Sequence, residues 1–148
     1  MKTRAILAVL VLLGACETVQ TTGSNAGPPA APIPSTPIEL GEWRNGAPDA
    51  TLQAFQTQIS GRYSEGQATS AVLADLRRND FACADNAIER NGRGNPPDQI
   101  CRRTATANNC THTWQVQVFE HEARVTQARA LYDRRCGRGA DSLLGSPG

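Results

Sequence analysis

The chain has 148 residues, 39% hydrophobic and only 5% aromatic, so its composition supports at most one lean core. Fifteen basic residues, all but one of them arginine, stand against fourteen acidic ones. That near balance excludes a nucleic-acid binder, which needs a clear cationic excess to displace counterions from phosphate.

Lys2 and Arg4 form a short positive region, and Ala5 to Leu13 is an unbroken apolar run. Such a run spans about 14 Å as a helix, roughly half of a hydrocarbon core, so it is a signal-peptide core and not a membrane span. It ends in Leu13-Gly14-Ala15-Cys16, which resembles the lipobox of bacterial lipoproteins. The resemblance implies cleavage before Cys16, a diacylglycerol on its thiol and an acylated new amino group. More than one acyl chain gives stable anchoring. Glu17 follows, where the resemblance associates Asp with inner-membrane retention, so the expected location is the outer membrane, facing the periplasm.

Four segments are expected: 1–15 a lipoprotein signal, 16–42 a flexible Pro/Gly/Thr-rich tether, 43–136 a small folded domain, and 137–148 a glycine-rich flexible tail. The stretch Thr21 to Pro37 is rich in Thr, Gly, Ser, Ala and Pro. Such a composition buries too little apolar surface to offset its ordering entropy. Trp43 marks the expected start of folding contacts.

Within the domain, Asp49 is placed to cap a first helix carrying Leu52, Phe55 and Ile59 on one stripe, with Gly61 as its stop. Ser64 and Gln67 have capping-box spacing for a second helix. Ala68, Val72 and Leu76 line its face, and Arg77-Arg78 complement the dipole at its end. Phe81 to Ala87 and Ile100 to Ala105 read as strands around the turn-rich Asn91–Pro97 segment. Trp114, Val116 and Val118 alternate with Gln115, Gln117 and Phe119, the clearest period-2 signal in the chain. Glu120 to Ala123 is the expected turn. Val125 to Tyr132 reads as a return strand, although Val125, Ala128 and Leu131 also fit a helix built from good helix formers. The expected fold is α+β: two short N-terminal helices on a 3–4 stranded antiparallel sheet, stapled by two disulfides.

The element order resembles the SmpA/OmlA-like outer-membrane assembly lipoproteins, within the wider group of two-helix, three-strand domains that includes β-lactamase inhibitor proteins. Gly66, Val72 and Leu76 stand at that family's spacings around its second helix. Ala68 replaces its usual Thr, and Arg78-Asn79-Asp80 replaces a common Gly-x-Pro ending.

Cys83, Cys101, Cys110 and Cys136 form an even set in an oxidising compartment. The strand reading brings Cys83 opposite Cys101 and Cys110 close to Cys136, which sets the expected pairing. A metal site using Cys110, His112 and His121 is the competing use, but the chain has no CxxC knuckle, and neither metal nor cofactor is expected. No nucleophile elbow, HExxH or phosphate-loop motif occurs. Gly92-Arg93-Gly94 could hold an anion and reads more simply as a turn. Arg102, Arg103, Arg134 and Arg135 form the expected partner surface. The functional expectation is a non-enzymatic lipid-anchored envelope protein of a Gram-negative bacterium, held to the membrane through Cys16. It would bind a protein partner in outer-membrane assembly or maintenance. The alternative is a tethered periplasmic inhibitor of a secreted hydrolase.

Overall fold

Pro48 opens helix α1 (Pro48–Arg62) in the chain's computed structural model, which describes residues 29–86 and 94–137. The signal segment, Cys16, Gly92-Arg93 of the expected Gly92-Arg93-Gly94 turn and the 138–148 tail lie outside the described residues. Proline suits the first helical position because its φ is already helical and its missing N–H would have had no partner there. Ala47 is therefore the N-cap. Asp49 does not cap and instead sits in the first turn, where a carboxylate favours the positive helix end. Phe55 and Ile59 lie on the buried stripe as expected, but Thr51 takes the place of Leu52, and Arg62 extends the stripe. The helix runs through Gly61, because Arg62 is held by a buried partner on the next helix.

Helix α2 (Thr69–Arg78) has Ala68 as its N-cap and so begins four residues later than a Ser64 cap would place it. Residues 64–68 are used elsewhere: the Gly66 N–H donates to Val125 O at 2.8 Å, and the Val125 N–H donates to Gln67 O at 2.9 Å. The Thr69 N–H donates to Ala123 O at 3.0 Å, so a hairpin turn of the sheet satisfies the start of α2. Only half of the capping box forms, as the Ser64 N–H donates to Gln67 Oε1.

Strands β1 (Ala82–Asp85), β2 (Gln99–Ala107), β3 (Cys110–His121) and β4 (Arg124–Cys136) make one antiparallel meander in the order β1-β2-β3-β4. The segment after residue 123 is therefore strand. Its helix-forming residues yield to a ladder running from His121↔Arg124 to Cys110↔Cys136. Two hairpins close on two-residue turns, Asn108-Asn109 and Glu122-Ala123, all four residues at positive φ between 50° and 59°. That backbone matches the right-handed twist of the strands it joins. Disulfides link Cys83 to Cys101 and Cys110 to Cys136, each joining residues directly opposite in the ladder.

The fold is thus α+β, with two helices and a four-stranded antiparallel sheet, but the helices are not at the chain's N-terminus. An arm of residues 29–47 precedes them and packs against the helices, so folding contacts begin before Trp43; residues 16–28 of the expected tether lie outside the described residues. Ile38 and Leu40 are buried in the core. Arg62 Nη2 donates to Pro34 O at 2.8 Å, Gln67 Nε2 donates to Ala31 O at 2.7 Å, and the Ile38 N–H donates to Asn79 Oδ1 at 2.7 Å. Proline makes this docking less costly than composition implies, since each ring has already fixed one backbone angle before docking. The core joins arm, helices and sheet through Ile38, Phe55, Val72, Leu76, Trp114 and Val116, with Phe55 stacked on Phe81 at 6.1 Å.

Candidate functional site

Successive strand residues point to opposite sides of a sheet, and here the two sides differ in kind. Cys101, Trp114, Val116, Val118 and Ala130 are buried beneath the helices and arm. Their sequence neighbours form the other side, which no described element covers with a helix. On it Thr104 and Thr106 of β2 lie opposite Thr113 and Thr111 of β3. The next row crosses three strands as Arg102, Gln115 and Leu131, and the row beyond it as Ile100, Gln117 and Arg129. Leu131, 38% exposed, is the large hydrophobic side chain left in solvent among the described residues. A groove of about 500 Å³ runs over this face, lined in part by Arg102, Gln115, Leu131 and Arg135.

Each cation on the open face is positioned by a neighbour on the same face. Arg102 Nε donates to Gln115 Oε1 at 2.8 Å, and Arg135 Nε donates to Asp133 Oδ2 at 2.8 Å. The Arg129 guanidinium lies 5.4 Å from the Phe119 ring centre, over its face. Among the described strand residues of this face, three guanidiniums stand with one carboxylate, that of Asp133, while Asp98, just before β2, accepts from the Glu120 N–H at 2.7 Å. The face is polar and cationic, with a shallow groove across it.

The four arginines expected to make one surface are divided by strand parity. Arg102 and Arg135 are on the open face. Arg103 and Arg134 point to the helix side, where Arg103 Nη1 donates to Asn79 O and pairs with Asp80 at 3.6 Å. Arg134 Nη1 donates to Gly46 O at 3.3 Å and so holds the arm. Consecutive residues in a strand cannot share a face, which separates Arg102 from Arg103 and Arg134 from Arg135.

The histidines separate as well. His121 is exposed at the second hairpin turn, 3.9 Å from Glu122. His112 is 1% exposed on the inner face, with Nδ1 2.6 Å from the Tyr132 hydroxyl. Trp43 of the arm meets His112 and Trp114 edge-on, at 4.8 Å and 5.2 Å between ring centres. This aromatic cluster is where the arm is seated. Burial raises the Tyr132 pKa, Arg134 opposes that shift and Asp133 adds to it.

A buried ion pair joins the helices. Asp75, 1% exposed, accepts from Arg62 Nε at 2.6 Å, Arg62 Nη2 at 3.1 Å, Tyr63 Oη at 2.7 Å and Arg78 Nη2 at 2.7 Å. Burial alone pushes the Asp75 pKa up, but the hydrogen bonds from Arg62 and Tyr63 and the charge of Arg62 outweigh it and leave it lowered. The hydrogen bond to Asp75 raises Arg62, against the opposing effect of burial. Burial first, and then Asp75, raises Tyr63. Every partner here is internal to the fold, so the cluster holds α1, α2 and the arm together.

Among the described residues no group of three or more His, Cys, Asp or Glu is arranged to hold a metal, and Cys110 is committed to Cys136. Comparison with known proteins finds no matching family model, curated protein or solved structure. Sequence reasoning did not single out Arg129, Gln115 and Leu131 as residues of the open face, nor Asp75 as an ion-pair centre. Strand parity, read outward from Trp114-Val116-Val118, would have found the first three. Asp75 had a weaker signal: it sits one residue before Leu76 on the inward side of α2.

Proposed function

We propose that this protein is a non-enzymatic, lipid-anchored protein of a Gram-negative cell envelope, and that its head binds a protein partner in outer-membrane assembly or maintenance through the open face of its sheet. The observation that carries this reading is the one-sided use of the sheet. A lean core would gain stability from covering both faces, yet helices, arm and aromatic cluster all pack on one. The other face keeps an ordered array of threonine, glutamine and arginine side chains around an exposed leucine, and arginine is enriched where proteins meet. The lipobox-like Leu13-Gly14-Ala15-Cys16 supports the anchor. Gln67 Nε2 holds Ala31 O at 2.7 Å, so a lipid on Cys16 would lie within about 54 Å of that contact at ~3.6 Å per residue of extended chain. The head then works close to its membrane.

The test is site-specific photo-crosslinking in intact envelopes, from Gln117 on the open face and from Gln58 on α1. A discrete adduct from Gln117 alone, lost in Cys16→Ser, is the expected result. Equal adducts from both positions, or a Cys16→Ser form that still partitions with membranes, would overturn the reading. An adduct with a hydrolase in place of a membrane complex would assign the tethered-inhibitor role.

A further inference from the structure

We infer that the open face takes an extended acidic segment of a partner protein, with one apolar side chain seated on Leu131 and carboxylates on either side meeting Arg102, Arg129 and Arg135. This rests on the proposed partner-binding role of that face. The row geometry sets the spacing. Arg129 and Leu131 are two residues apart on β4, about 7 Å, and Arg102 lies two strands from Leu131, about 10 Å. Arg135 lies a further four residues along β4 from Leu131, about 13 Å. An extended chain places alternate side chains about 7 Å apart on one side, so an acidic–apolar–acidic alternation matches an Arg129–Leu131 step.

Charge selects the occupant. Arg102 uses Nε on Gln115, and Arg135 uses Nε on Asp133, so the outer nitrogens of both guanidinium groups are left to donate in pairs to a carboxylate. A second copy of this chain would bring three more guanidiniums against these three, and is disfavoured. A lipid surface fits less well. Electrostatic membrane docking calls for clusters of about four to eight basic residues, whereas this face spreads three over roughly 20 Å and adds an apolar seat and hydroxyl and amide side chains. Those neutral groups suit a polypeptide, which brings backbone donors and acceptors.

The experiment measures the fluorescence anisotropy of a labelled Glu-Glu-Leu-Glu-Glu peptide with the full-length lipidated protein in a neutral detergent. Binding is expected, weakening with added salt. Replacing Arg102, Arg129 and Arg135 together by Gln should weaken it by about tenfold or more, since each exposed charge contact contributes modestly. Leu131→Ser should weaken it several-fold, and Arg77→Gln should leave it unchanged. All of these side chains are exposed, so thermal melts should match the parent. Absence of binding would overturn the inference, as would equal binding of a Gln-Gln-Leu-Gln-Gln peptide or indifference to the triple substitution. Arginine-dependent binding to phosphatidylglycerol vesicles with no peptide binding would overturn it in favour of a lipid surface. If Gln117 still crosslinks a partner while the acidic peptide fails, the partner-binding role stands and the acidic chemistry is wrong. If both fail, the face is not a docking surface.

Discussion

Asp75 offers the sharpest test of how the helices are held. Its carboxylate accepts four hydrogen bonds from Arg62, Tyr63 and Arg78 while almost fully buried, so removing its charge leaves the Arg62 guanidinium buried without a counter-ion. Breaking one partner of a buried pair costs about 3–5 kcal/mol, and Asn, which keeps one acceptor oxygen, should fall near the lower end. For a domain of this size that is a fall in melting temperature of roughly 12–24 °C. Denaturant and thermal melts of Asp75→Asn at neutral pH measure it. Replacing both partners, Arg62→Met with Asp75→Leu, should cost less than Asp75→Asn alone, because a buried apolar pair needs no desolvated charge. The pH dependence has a definite direction. With the folded Asp75 pKa held below the ordinary carboxyl value of ~3.9, the unfolded chain takes up its proton first. The contribution is therefore complete above about pH 4 and is lost as pH falls toward the folded value. Tyr63 acts at the other end: its raised folded pKa means the unfolded chain deprotonates first, so stability declines as pH rises above about 10. An Asp75→Asn variant that loses under about 1 kcal/mol, or a double variant no more stable than the single, would refute this account.

Glu122→Asn with Ala123→Gly should raise stability by about 1–2 kcal/mol, because both turn residues sit at positive φ where Asn and Gly are at ease; an unchanged or lower melt would count against strain there. Each disulfide spans a loop, with sequence separations of 18 and 26, so removing either by paired Cys→Ala substitution should cost about 3 kcal/mol. Non-reducing peptide mapping should recover Cys83 with Cys101 and Cys110 with Cys136, and any other pairing would contradict the sheet register. Trp43→Ala should cost about 2 kcal/mol and expose Trp114 to a fluorescence quencher, since Trp43 is half buried and covers that ring; an unquenched Trp114 would mean the arm is seated by other contacts.

The sheet was legible from Trp114 outward. Its alternation is strict, the expected Glu120–Ala123 turn contains the Glu122-Ala123 hairpin, and the cysteines sit opposite one another once the strands are in register. The start of α2 was not legible, because Ser64 and Gln67 carry a capping signal that pairing between Gly66–Gln67 and Val125 overrides. That competition depends on β4, nearly sixty residues away in sequence, and no local window contains it. The arm was misread for a related reason. Composition measures how much apolar surface a segment owns, and residues 29–42 own little. It does not measure how many backbone groups the rest of the chain can bind, and Arg62, Gln67 and Asn79 supply that from three separate places.

The expected surface of Arg102, Arg103, Arg134 and Arg135 does not form as one patch, and the reason is geometric. Reading Arg102-Arg103 and Arg134-Arg135 as pairs treats charge as a property of a segment, whereas a strand sorts its residues by parity. Sorting has a consequence for function. Arg103 and Arg134 are spent inside the fold, one on Asn79 and Asp80 at the end of α2 and the other on Gly46 in the arm. Arg102 and Arg135 stay outside, where Arg129 and Leu131 join them from the same strand. A substitution at Arg103 or Arg134 should therefore act on stability and on the seating of the arm, and one at Arg102 or Arg135 on binding, although the members of each pair are neighbours in sequence. Two faces of β2 and β4 can keep these two tasks apart without dedicating separate elements to them, which a lean chain with one small core could not supply.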